Sequence, residues 1–324
     1  VDVTVVVQAR MGSTRLPGKV LRPLAGRPML ALMLARLAPL RDAGVIVATS
    51  ELDRDDPIAD LCEHEGVPCV RGAESDVLAR FVAAADAHPA DHIVRLTADC
   101  PLIDPGLVRA VIDTHIAARA DYTSNTLLRT FPDGLDVEVM RFATLQEAGT
   151  RAAESDEREH VTPFVVRRPE QFRLAAHLGP RDLEDERWTV DTAEDFAFVE
   201  HALSLLGDPL TPSWLTLLAQ LGERRSPTRD ELVLRVDRSI VPDPGHRQWT
   251  VQRDRRTLST VRVDVRDGTG TLEHVSGDAG LLRTEDFARA LRTRLAADLQ
   301  VRDLRHHEAT EKDEHHGRDL ALPR

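Results

Sequence analysis

The sequence predicts an α/β fold built on a mainly parallel sheet, followed by a smaller α+β domain. Three observations predict it. Short β-branched runs alternate with helical patterns from Thr4 to Ala118, the order expected of strand-helix-strand crossovers. The first run, Thr4 to Gln8, feeds straight into a loop rich in Gly and cations, Ala9 to Lys19. A polar stretch from Gly222 to Asp230, with Pro227 inside it, then marks a boundary before a second set of extended runs. A length of 324 residues gives each of two domains a sizeable core. The expected division is residues 1–222, residues 231–304 and a polar tail, residues 305–324.

In chain order, Thr4 to Gln8 is a strand because its run of Thr and Val suits a strand buried on both faces. The apolar spacing of Met29 to Ala38 is helical, Val45 to Thr49 returns to a β-branched run, and Pro57 to Glu65 is helical again. The alternation continues with a short strand at Pro68 to Arg71, a helix over Val77 to Ala87, a strand over His92 to Leu96 and a helix over Pro105 to Ala118. From Asp121 the pattern changes: extended pieces at Asp121 to Ser124 and Asp136 to Met140, helices around Phe142 to Ala152 and Glu157 to Arg167, and extended pieces at Phe172 to Ala176 and Arg187 to Val190. Thr192 followed by Glu194 and Asp195 reads as a helix start, an N-cap with acids in the first turn, running to about Leu206. Beyond the boundary come a strand at Leu232 to Val236, strands around Trp249 to Arg253 and Leu258 to Val265, a Gly-rich turn at Asp267 to Gly270 and a helix over Glu285 to Leu299.

Composition narrows the function. The charge is −12, from 42 Lys and Arg against 54 Asp and Glu, which argues against a surface devoted to nucleic acid; the cations that matter must be local. Three cysteines, Cys62, Cys69 and Cys100, without C-x-x-C spacing, fit neither a disulfide framework nor a structural zinc site. No basic-then-apolar leader is visible, and no apolar run approaches the roughly 18 residues of a membrane span. The expectation is a cytoplasmic protein without a membrane partner.

In α/β sheets ligands gather beyond the carboxyl ends of the strands, which brings the Ala9 to Lys19 loop and the Thr97 to Asp104 loop to one crevice. Gly12, Ser13 and Gly18 let backbone N–H groups turn toward an anion, and Arg10, Arg15 and Lys19 add charge. A nucleoside triphosphate is the natural guest. The loop is not a P-loop: five residues rather than four separate Gly12 from Gly18, and Val20 after Lys19 has no hydroxyl for a metal. A G-x-G-x-x-G dinucleotide motif is absent as well.

Six segments occur in an order that identifies a family: Gln8 to Lys19; Arg71-Gly72 with Asp76 to Arg80; Leu96 to Asp104; Asp133 to Val139; Glu159 to Pro163; and Arg187 to Thr192. The first resembles the Q-A-R-x-x-S-x-R-L-P-G-K signature of acidic-sugar cytidylyltransferases. The likeness is strongest to the spore-coat polysaccharide subgroup, and more distant to acylneuraminate and 3-deoxy-manno-octulosonate cytidylyltransferases. It covers residues 3–206. The resemblance implies a Rossmann-like fold of the nucleotide-diphospho-sugar transferase type, with a mixed but mainly parallel sheet. It also implies transfer of CMP from CTP to a hydroxyl of an acidic sugar or related hydroxy acid, with release of pyrophosphate, in glycan or surface polysaccharide biosynthesis.

Carried over residue by residue, the resemblance implies that Arg10, Arg15 and Lys19 grip the triphosphate, with Ala9, Gly12 and Ser13 as the backbone cradle. It implies that Asp99 and Asp191 bind Mg2+, that Arg71, Gly72 and Arg80 border cytosine and ribose, and that Asn125, Asp136, Glu138, His160 and Arg187 form the acceptor pocket, with Arg187 for a carboxylate. Simpler readings stand beside these: helix capping near Asp191, a salt-bridged helix face for Arg80, a solvated strand face for Asp136 and Glu138, a structural role for His160. Where the octulosonate enzymes carry an acid after the first metal-binding Asp, this chain has Cys100, more plausibly a wall residue than a nucleophile. Two rivals share the fold: a glycosyltransferase, for which Ala98-Asp99-Cys100 lacks a D-x-D motif, and a sugar-1-phosphate nucleotidylyltransferase, for which the loop lacks the first Gly of G-x-G-T-R. The C-terminal domain reads as an accessory or dimerisation module, leaving a homodimer open.

Overall fold

The computed structural model describes residues 2–40, 43–179 and 183–221, and the backbone of strands at 233–236, 246–253, 256–266, 269–277 and 303–307. The chain divides into two compact units, Val1–Arg224 and Arg225–Arg324.

The first unit runs β1 (Val3–Gln8), β2 (Pro23–Leu24), β3 (Arg27–Pro28), α1 (Met29–Leu37), β4 (Gly44–Ser50), α2 (Asp56–Glu65), β5 (Cys69–Gly72), α3 (Val77–Ala87), β6 (His92–Thr97) and α4 (Pro105–Ala118). It continues through β7 (Tyr122–Ser124), β8 (Glu138–Arg141), α5 (Phe142–Arg151), α6 (Ser155–His160), α7 (Pro163–Val166), β9 (Leu174–Ala176), α8 (Ala193–Ser204) and α9 (Trp214–Leu221). Seven strands form one sheet in the order β5-β4-β1-β6-β8-β7-β9. The pairs β5-β4, β4-β1, β1-β6 and β7-β9 are parallel, whereas β8 runs antiparallel to both its neighbours. Gln8 pairs in register with Ala48 on one side and Thr97 on the other. The loops after β1 and β6 therefore leave the same sheet edge side by side.

Side chains alternate across the sheet, as a period of two requires. Val5, Val7, Val47, Val94 and Leu96 face one core with α1, α4, α8 and α9; Val6, Ala48, Ile93, Tyr122 and Met140 face the other with α3, α5 and α7. Burial of both faces explains why β1 and β4 read as nearly unbroken apolar runs. Helix starts are fixed by side chains that accept orphan N–H groups: Asp76 from Ala79 N (2.9 Å), Asp104 from Leu107 N (2.9 Å), and the reciprocal Thr192–Asp195 capping box of α8.

Three features of the first unit depart from the sequence expectation. The helix expected over Glu157 to Arg167 is two short ones, because the backbone folds back at Val161 (φ +70°), where Thr162 N donates to His160 O at 2.8 Å, and Pro163 starts the next turn. Arg187 to Val190 is no sheet strand; it crosses the strand ends through an isolated bridge from Arg187 to Asp133 and a bond from Val190 N to Asp99 O at 2.8 Å. Helix α9 was not expected, although Trp214, Leu217, Leu218 and Leu221 carry helical spacing. It is tied to the start of α4 by a bond from Trp214 N to Asp104 (2.7 Å), and the buried Arg36 of α1 holds the approach to it, its guanidinium reaching Ile103 O (3.0 Å) and the carbonyls of Pro209 and Pro212.

The second unit is a five-stranded sheet, β10 (Val233–Val236), β11 (His246–Arg253), β12 (Arg256–Arg266), β13 (Thr269–Gly277) and β14 (Asp303–His307), in sequential order. Four strands form an antiparallel meander and β14 adds in parallel to β13. Residues 305–307, expected in the tail, thus belong to a sheet, and β13 is an addition to the expected strands. The helix expected over 285–299, the start of the Gly-rich turn, the boundary at 222–230 and the tail from 308 lie outside the described residues.

Candidate active site

The loop after β1 is shaped by hydrogen bonds within itself. Met11 O accepts from both Ser13 N (2.9 Å) and Gly18 N (3.1 Å), and Ser13 Oγ accepts from Leu16 N (3.2 Å). Gly18 sits at φ +69°, a conformation that costs a residue with a Cβ. The N–H of Ser13, expected to face an anion, is thus used inside the loop. The loop is also latched from outside: the fully buried Asp55 accepts from Met11 N at 2.7 Å and from Ser50 Oγ.

Next to this loop the structure opens a cleft of about 210 Å3, lined by Gln8, Ala9, Arg10, Gly12 to Arg15, Lys19, Val20, Thr97 to Asp99 and Asp191. Lys19 is its electrostatic centre. Its ammonium, on a side chain only 9% exposed, donates to Val190 O (2.7 Å), Asp191 Oδ1 (3.0 Å) and Asp99 Oδ2 (3.2 Å). Residues separated by 80 and 172 positions from Lys19 in the chain thereby meet at one point. Asp191 also pairs with Arg15 (3.0 Å) and Arg187 (2.8 Å) through Oδ2. Burial raises its carboxyl pKa, but Lys19, Arg187 and Arg15 together outweigh that and hold it below the usual carboxylate range.

Arg187 organises the far side. It bonds Asp133 (2.7 Å), Asp191 and Asp195 (3.1 Å), and Asp195 in turn accepts from the N–H groups of Asp191 (2.9 Å) and Thr192 (3.0 Å). The helix-capping and metal-binding readings of this segment are therefore compatible: Thr192 and Asp195 cap α8, which leaves the Asp191 carboxylate pointed at Lys19. Beside Arg187, Arg129 grips Asp136 in a two-pronged pair (2.6 and 2.8 Å) and lies 3.7 Å from Asp133. Burial pushes the Asp133 carboxyl up despite Arg129 and Arg187. Gly134, at φ +112°, lets this segment lie against the Trp188–Thr189 peptide.

Other expected site residues hold up the architecture instead. Asn125 is 1% exposed and spends its amide on the backbone, donating to Leu135 O (2.8 Å) and accepting from Val137 N (2.9 Å). Glu138 is buried among Arg95, Tyr122 and Thr162, while Asp136 lies before β8 begins and goes to Arg129, so the two acids do not share a surface. His160 is exposed at the end of α6. Arg71 ties Ser50 O (2.9 Å), Leu52 O (3.1 Å) and Asp56 (2.6 Å) together. Arg80, 1% exposed, passes so close to Gly72 that a Cβ there would lie 2.9 Å from its Cγ, and it donates to the carbonyls of Ala73 and Glu74. None of Arg71, Gly72, Arg80, Asn125, Glu138 or His160 lines the cleft. Cys100 is buried, and burial beside Asp99 pushes its thiol pKa far up, which suits a wall residue and not a nucleophile. The sequence reading missed Asp55 and Arg129; only the Asp that follows a β-branched strand by a short turn hinted at the first.

Two carboxylates converging on the Lys19 ammonium are hard oxygen donors of the kind that hold a divalent metal. Among the described residues no three His, Cys, Asp or Glu side chains make a closed metal cage. Mg2+ needs none, since it completes its octahedron with phosphate oxygens and water. No helix among the described residues is long and apolar enough to cross a membrane.

Comparison with known proteins extends this geometry. The family model described as cytidylyltransferase matches residues 4–224. The spore coat polysaccharide biosynthesis protein SpsF of Bacillus subtilis is 32% identical over 247 residues, covering 74% of this chain and 95% of its own. An uncharacterized protein of Methanocaldococcus jannaschii, MJ1063, is 38% identical over 196 residues, 59% of this chain and 79% of that protein. Among solved structures, a cytidylyltransferase from Leptospira borgpetersenii superposes with a TM-score of 0.65 at 33% identity, covering 67% of this chain and 92% of that one. The first unit has the Rossmann-like α/β fold of these enzymes. The chain belongs to the cytidylyltransferase family and is a CTP-dependent nucleotidyltransferase.

Proposed function

We propose that the protein transfers CMP from CTP to a hydroxyl of an acidic sugar or related hydroxy acid, for a glycan or surface polysaccharide. The acceptor oxygen forms a bond to the α-phosphorus, the bond from that phosphorus to the β-phosphate bridging oxygen breaks, pyrophosphate leaves and the hydroxyl proton is lost. Such a transfer depends on positioning and on cations at the phosphate oxygens. The observation that carries the reading is the meeting of Lys19, Arg15, Asp99 and Asp191 in one cleft beside the Gly-containing loop. Its carbohydrate side rests on the Bacillus subtilis relative, which is named for polysaccharide biosynthesis.

In this reading Arg10, Arg15 and Lys19 neutralise the triphosphate, and Ala9 and Gly12 bring backbone close to it. Asp99 and Asp191 would hold Mg2+, which supplies charge neutralisation at the α-phosphate and acidifies the attacking hydroxyl. Arg187 is a positioning residue that keeps Asp191 and Asp195 in place. With a side chain 39% exposed, it is also the cation beside Asp191 for the acceptor's carboxylate, and Asp133 links it to the Arg129–Asp136 pair. CTP consumption suits the cytoplasm.

Pyrophosphate release, measured with ATP, GTP, CTP and UTP against a panel of acidic sugars and hydroxy acids, tests the proposal. Release with CTP and an acidic acceptor is expected. Release only with sugar 1-phosphates, or hydrolysis of a ready-made nucleotide sugar without pyrophosphate formation from CTP, would overturn it.

A further inference from the structure

A second ion pair, outside the cleft lining, lies across the phosphate loop. A Cβ built on Gly12 would come within 3.1 Å of an Arg54 guanidinium nitrogen and 3.3 Å of a Glu74 carboxylate oxygen, and Arg54 and Glu74 bond each other there. Gly12 itself lines the cleft. Each member of the pair is set in place by a buried neighbour. Arg54 precedes Asp55, which is fully buried and holds Met11 N at 2.7 Å, so the turn carrying Arg54 is tied to the loop. Glu74 has its carbonyl, 2.9 Å from the buried Arg80 guanidinium, fixed from below.

The pair itself is open to water where its supports are buried: the Arg54 side chain is 51% exposed and that of Glu74 33%, whereas Asp55 and Arg80 are buried. An exposed Arg–carboxylate pair contributes little to stability, because water and salt compete with it. A polyphosphate beside Gly12 presents more negative charge than a single carboxylate, and a guanidinium can take its oxygens in the same two-pronged way. The same substitution of partners applies to Arg15, which rests on Asp191.

We propose that Arg54 is a further triphosphate-binding residue, parked on Glu74 at the rim of the phosphate loop, and that Glu74 competes with the nucleotide for it. The proposal rests on the CTP-transfer reading of the cleft. It predicts coupling between the two residues, not merely an effect of each.

Calorimetric titration of the full chain with CTP and, separately, with inorganic tripolyphosphate at low ionic strength tests it. Arg54→Gln should weaken both ligands by about 5- to 10-fold, and Arg54→Lys should recover part of that. Glu74→Gln should tighten both by about 2- to 5-fold, and the same change in the Arg54→Gln background should do almost nothing. Unchanged affinity in Arg54→Gln would overturn the proposal. So would an equal effect of Glu74→Gln with and without Arg54, since Glu74 would then act only through its general field. Failure of the wild-type protein to bind CTP would instead overturn the proposed function.

Discussion

Replacing Lys19 with Met removes one charge and almost no volume, which isolates what the ammonium does. The structure gives the consequences. Asp99 loses a cation at 3.2 Å, whereas Asp191 loses one at 3.0 Å but keeps Arg15 at 3.0 Å and Arg187 at 2.8 Å. Leaving a buried charge without its partner costs about 3–5 kcal/mol when water cannot reach it. Here the Asp99 side chain is 32% exposed, so hydration offsets part of that loss. The expected destabilisation is about 2–3 kcal/mol, a fall in Tm of about 4–12 °C for a unit of this size. Turnover should fall further, by about 100- to 1,000-fold, because the same ammonium would meet the charge that develops on the phosphates. Thermal unfolding followed by circular dichroism reads the first quantity and pyrophosphate release from CTP the second. The double variant Lys19→Met with Asp99→Asn should recover much of the Tm while remaining inactive. Recovered turnover in that double variant, or full activity in Lys19→Met alone, would refute the reasoning, since the cation would then serve only to neutralise aspartates.

Gly134→Ala should destabilise the first unit by about 3 kcal/mol or more, because the new Cβ would meet Thr189 N and the Trp188 carbonyl carbon at 2.4 Å in a backbone with φ +112°. A melting temperature equal to wild type would show that the 133–136 segment does not pack against the 187–190 crossing. Acid sensitivity should trace in part to His115, which is fully buried beside His92 and has its pKa pushed down to about 4, first by burial and then by the charges of His92 and Arg141. Unfolded, it titrates near 6.5, so the unfolded chain binds the proton first and stability is lost as pH falls from about 6.5 to 4, by about 3 kcal/mol in all. Denaturant titrations at pH 7 and 4 should show a smaller drop for His115→Gln; an equal drop would remove His115 as the cause.

The architecture of the first unit was legible because it is written in local signals. Helices Val77–Ala87 and Pro105–Ala118 have the ends expected, each opened by an Asp that caps it, and the β-branched runs at Thr4 to Gln8 and Val45 to Thr49 are strands with both faces buried. The failures are equally physical. Residues 157–167 have helical composition, yet a fold-back at Val161 splits them and delivers the Thr162 hydroxyl to Glu138 at 2.9 Å. Alternation along a strand assigned Asp136 and Glu138 to one face, but β8 starts only at Glu138, so the rule did not reach Asp136.

Charged residues were the hardest to read, because sequence shows a charge without its partner. Arg71, Arg80 and Arg187 look alike as candidates for nucleotide or acceptor. Only the packing separates them: Arg71 and Arg80 are committed mainly to backbone carbonyls, while Arg187 sits in a half-exposed network of three carboxylates next to the cleft. By itself the sequence determined the α/β order, the Gly- and cation-rich loop after the first strand and, through the order of six segments, the family. Tertiary structure decided which distant charges meet. Lys19, Asp99 and Asp191 share one point because parallel pairing aligns the ends of β1 and β6 and the 187–190 crossing bonds back to Asp99, and neither register nor crossing is encoded in any local run of residues.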